Sequence, residues 1–116
     1  MRPSENIRQR FMRDDPTVRL GGLAANLARV YSFADHPGHG DAVERIVNES
    51  RYFIEWTAPY IALDQQVQLV DLQRRLCDWQ ISWQHVWSDP RARHSMAAEA
   101  KTWSDRLLTM SGLLEN

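Results

Sequence analysis

Apolar residues recur along this chain at steps of three and four, and no window alternates with a period of two. Four segments show this helical spacing. Residues 16–35 put Leu20, Leu23, Leu27, Val30, Tyr31 and Ala34 on one face. Residues 41–58 do the same with Val43, Ile46, Val47, Phe53, Ile54 and Thr57. Residues 60–88 carry Ile61, Leu69, Leu72, Leu76, Trp79, Trp83 and Val86, and residues 90–111 carry Ala92, Met96, Ala100, Trp103, Leu107 and Met110. The opposite faces hold charges spaced for i,i+4 pairing: Asp41–Arg45, Arg45–Glu49, Arg51–Glu55, Asp71–Arg75, Arg74–Asp78 and Lys101–Asp105.

Breakers fall between these segments. Asp15-Pro16 and Asp89-Pro90 each place a carboxylate before a proline at a first helical position. The His36-Pro37-Gly38-His39-Gly40 cluster separates the first two segments, with Asp41 available as a cap, and Pro59 separates the second from the third. Gly112 is placed to end the last helix. Gly21-Gly22 is a local conflict, because each glycine costs ~1 kcal/mol in a helix relative to alanine. With Ala24, Ala25 and Ala28 nearby, the pair marks either a close helix approach or a helix that starts at Leu23.

Short connections make successive helices antiparallel. The expected fold is therefore all-α: an antiparallel up-and-down four-helix bundle over residues 16–116, with a long third helix and an N-terminal arm over residues 1–15. In that arm Ile7 and Phe11 are four apart, as on a short amphipathic helix, among Arg2, Arg8, Arg10 and Arg13.

The third segment raises the question of a partner. At 1.5 Å per residue it would be ~43 Å long against ~27 Å for the second, so its far end should overhang by about ten residues. That overhang would contain Trp79, Trp83, Val86 and Trp87, with Met96 opposite, and an exposed tip of this kind is a patch that monomers avoid. The same helix has a second apolar stripe of Leu63, Val67, Val70, Cys77 and Ile81, roughly 140–160° around from the first. Two-sided apolarity predicts either a central helix or a two-fold homodimer. Trp83, Trp87, Ile81, Val67, Val70 and Met96 are the expected interface residues, since aromatic anchors dominate such contacts. The arm is the rival cover for the tryptophans.

Composition narrows the alternatives. The 116 residues hold 14 basic and 15 acidic side chains, a net charge of -1 that excludes an overall polyelectrolyte. Thirteen of the basic residues are arginine and one is Lys101, a bias that the codon usage of a GC-rich bacterial genome produces. No stretch of 18 apolar residues spans a membrane, and the first residues lack a signal-like apolar run, so a cytoplasmic protein is expected. Cys77 is the one cysteine, which excludes an internal disulfide, and its place on the second stripe makes it a structural thiol.

Candidate chemistry is sparse. His36 and His39, with Asp35 and Asp41, form a loop whose donors suit zinc or nickel but also suit a capped turn. No Glu-x-x-His, HExxH, glycine-rich phosphate loop or Ser/His/Asp arrangement is present. Arg8, Arg10 and Arg13 are the candidate nucleic-acid contacts, and Arg91-Ala92-Arg93-His94 is the candidate for RNA cleavage. The sequence reads best as a non-enzymatic helical module without cofactor, acting as a homodimer or through another protein partner; a nucleic-acid role is the alternative.

Overall fold

Two aspartate-proline steps start helices where the sequence places them, in a computed structural model that describes residues 2–113. Pro16 opens α2 (Pro16–Phe33) and Pro90 opens α6 (Pro90–Ser111). The Asp89 carboxylate accepts from the Arg91 N–H at 3.1 Å, whereas the Asp15 side chain makes no capping bond. At the other end, Gly112 sits at φ 73°, a left-handed cap that favours glycine. Between them lie α3 (Gly40–Thr57), α4 (Leu63–Ile81) and α5 (Trp83–Ser88), with single 3₁₀ turns over Pro37–His39 and Ala58–Tyr60.

The described residues are all-α, with six helices and no strand, and three expectations change. First, the arm forms the short helix its spacing suggests, α1 (Glu5–Arg13), capped by the Ser4 hydroxyl, which accepts from the Ile7 N–H at 3.3 Å, but it packs elsewhere than on the tip of the third segment. Phe11 buries on its inner face and stacks on Phe53 with ring centroids 3.9 Å apart. The arm therefore covers the α3 end around Phe53 and Trp56, not the distant tryptophans. Second, the third helix does not begin at residue 60. Pro59 closes a 3₁₀ turn, Ile61 and Ala62 are extended, and α4 starts at Leu63. Third, the long rod is broken at Ser82, whose φ of -103° and ψ of 22° leave the helical region. These breaks replace the uninterrupted third helix of a four-helix bundle with α4 and a short α5.

The expected overhang is covered by the chain itself. Trp83 and Trp87 stack at 5.6 Å, and the Trp87 indole N–H donates to the Pro37 carbonyl at 2.7 Å. Gly40 makes room for this: a Cβ there would come within 2.8 Å of Trp87 Nε1. Trp83 and Met96 are buried and Trp87 is half-buried in the protein's own core. Ile81, by contrast, remains outside.

α2 is the central packing element, set between α3 and α6. Small residues are buried on both helices, Ala24 on α2 and Ala97, Ala100 and Ser104 on α6, and the Ser104 hydroxyl donates to the Ala24 carbonyl at 2.7 Å. Against α3, Asn26 donates to Glu49 and to Ser50 within the buried layer. Gly21 and Gly22 lie inside α2, facing Leu113 and Phe11 respectively, so the helix does not wait for Leu23. α4 presents Leu69, Leu72, Leu76 and Trp79 to the core.

Candidate interaction surface on helix α4

The inner row of α4 fixes what points outward. With Leu69, Leu72, Leu76 and Trp79 buried, helical geometry turns Leu63, Val67, Val70 and Ile81 away from the core. Their exposures are 75%, 56%, 51% and 84%. Cys77 continues the same row and is half-buried.

Polar side chains on both flanks hold the helix in this rotation. On one flank, Gln66 Nε2 donates to the Ala58 carbonyl at 2.7 Å and Gln73 Nε2 to the Arg51 carbonyl at 3.2 Å. On the other, Gln65 Nε2 donates to the Met110 carbonyl at 3.2 Å. Arg75 grips Glu99 of α6 with two bonds of 2.6 and 2.9 Å, touches Asp78, and lies 5.6 Å from the Trp79 ring centroid. Hydrogen bonding to Glu99 raises the Arg75 pKa above its ordinary value, with burial opposing it in part. The Arg75 guanidinium thus stays charged wherever the protein is folded near neutral pH. Of the i,i+4 pairs expected from sequence, Lys101–Asp105 forms among the described residues, while Arg75 turns to Glu99 and Asp78 instead of Asp71.

Beside the stripe runs an apolar groove of about 580 Å³ between the α3 end and α4. Ile54, Ala58, Pro59, Leu69, Val70 and Cys77 contribute to its walls. The stripe and groove form one continuous surface, open along its length.

The other candidates are placed as follows. His36 and His39 tilt against each other at 5.1 Å, and His39 packs edge-on to Phe33 at 5.4 Å. No group of three or more His, Cys, Asp or Glu side chains is arranged to hold a metal among the described residues. On α1, Arg8 pairs with Glu5 and faces the Trp56 ring, while Arg10 and Arg13 are exposed. His94 is exposed, but its neighbour Arg93 is buried and donates to the Ala34 and Trp87 carbonyls at 3.0 and 2.8 Å. That guanidinium is committed to backbone oxygens rather than to a phosphate. No described helix is long and apolar enough to cross a membrane.

Sequence reasoning missed two arginines with structural roles, Arg93 and Arg19. Arg19 is buried and donates to the Met12, Asp14 and Trp56 carbonyls, so one side chain ties the ends of α1 and α3 to α2. Both could have been found from position: Arg19 lies four before Leu23 and Arg93 three before Met96, on the apolar faces of their helices.

No protein-family model, curated protein or solved structure matches this chain.

Proposed function

We propose that this protein is a non-catalytic helical interaction module that joins a second copy of itself or another protein through the outer face of α4. The observation behind this reading is the row of Leu63, Val67, Val70 and Ile81, each more than half exposed on a helix fixed from both sides. Exposed apolar side chains scattered singly are ordinary. Four in line on one rigid helix, with an apolar groove alongside, form the kind of surface that a partner helix covers. Ile81, Val67 and Val70 are thus the interface residues this reading retains. Trp83, Trp87 and Met96 serve instead to stiffen the hairpin behind them, because they pack inside the molecule.

Photo-crosslinking in cells that make the protein tests this reading. A photoreactive phenylalanine analogue at Val67 or Val70 should give covalent adducts with protein. The same analogue at Thr102, on the exposed side of α6, should give none. Absent adducts at both α4 positions, or equal adducts at Thr102, would overturn the proposal.

A further inference from the structure

The outward row of α4 contains one charged residue, and its place is informative. Read in full, the row is Leu63, Val67, Val70, Arg74, Cys77 and Ile81, with steps of four, three, four, three and four. This is heptad spacing, the pattern that lets two helices lie along one another. It occupies the whole of α4 from its first residue to its last, and it is symmetric about residue 72, the helix midpoint. Arg74 lies just beyond that midpoint and Asp71 just before it, at the edge of the row. Neither forms an ion pair among the described residues.

We infer that the occupant of this surface is a second copy of the chain, with the two α4 helices packed antiparallel across a two-fold axis at residue 72; the inference rests on the interaction reading above. A two-fold contact is self-complementary: whatever residue i meets, its symmetry mate meets i. Antiparallel pairing about residue 72 sets Leu63 against Ile81 of the second copy, Val67 against its Cys77, and Val70 against the aliphatic stem of its Arg74. The Asp71 carboxylates of the two copies then share one edge near the axis, and the two Arg74 guanidiniums lie between them. Each arginine meets an aspartate of the other copy, and the contact occurs twice by symmetry. Parallel pairing is the worse solution, because it sets Arg74 against Arg74 inside an apolar seam. A helix of 19 residues is ~28 Å long. Pairing two side by side along their full length buries on the order of 1,000 Å², the low end of specific interfaces, so the dimer should be reversible at roughly micromolar concentrations.

Disulfide mapping on the full chain tests the arrangement. In the antiparallel pair the two Cys77 thiols are ten residues apart along the seam, ~15 Å, too far to bridge. The unsubstituted chain should therefore stay uncrosslinked on mild oxidation. Val67→Cys should give a covalent dimer joined between the introduced thiol and Cys77 of the second copy, identified by peptide mass. Val67→Cys combined with Cys77→Ser should give none. A Cys77–Cys77 bridge in the unsubstituted chain, or bridging in the double variant, would mean another register and sink the proposal. In sedimentation, Arg74→Asp should weaken the dimer about tenfold, and adding Asp71→Arg should restore it to within about threefold. Failure of that rescue also overturns the antiparallel pairing. A chain that stays monomeric to about 1 mM overturns self-association altogether, while photo-adducts of a different mass from Val67 would leave the broader interaction reading standing.

Discussion

Arg19 and Arg93 show how much one side chain can settle in a small helical protein. A guanidinium has five donors and no acceptor, so it can satisfy several helix-end carbonyls at once. Arg93 joins the ends of α2 and α5 in this way, and Arg19 joins the ends of α1 and α3. Replacing Arg93 with methionine keeps the apolar stem and removes the donors. The expected cost is about 2–3 kcal/mol, read as a lower urea midpoint at unchanged slope, because two carbonyls lose charged partners. Gly40 acts by absence. A methyl group there would displace Trp87 and its bond to Pro37, so Gly40→Ala should cost about 1–3 kcal/mol and shift tryptophan emission to longer wavelength. An unshifted spectrum would show that the ring has another place to go.

At the scale of elements, α4 has two faces with opposite energetics. Leu72 is fully buried and Val67 is exposed, five residues apart on one helix. Leu72→Ala should lower stability by about 2–5 kcal/mol. Val67→Ala should leave the monomer within about 0.5 kcal/mol and show itself in association instead. Equal losses at the two positions in dilute denaturation would mean that the outer face is covered by the chain itself. Both apolar rows of α4 are legible in the sequence as periodicity. Which row faces the core is not, because period alone is the same for either. Packing against α3 and the clamp from Arg75 to Glu99 decide it. The break at Ser82 is equally hidden: no proline or glycine marks it, and beyond it Trp87 meets Pro37 and Gly40 from a distant stretch of chain.

At the scale of the whole molecule, extents of 37, 30 and 22 Å leave little interior, and the N-terminal helix is part of its cover. Phe11 is its anchor on Phe53 and Trp56. Phe11→Ala should destabilise by about 3–5 kcal/mol and raise the solvent quenching of Trp56 fluorescence; a chain unchanged in both would show that α1 is not needed as a lid.

The sequence by itself determined the helical class, the positions of most helix ends and the existence of a second apolar row on the third segment. Those follow from spacing, from proline and glycine, and from residues acting on their near neighbours. Only the tertiary structure decided which tryptophans are sealed, which arginines are buried, and that the expected overhang is interrupted at Ser82 and covered by the chain around Pro37. These outcomes depend on pairs such as Trp87 with Pro37 and Arg19 with Trp56, whose separation along the chain is too great for any local pattern to record.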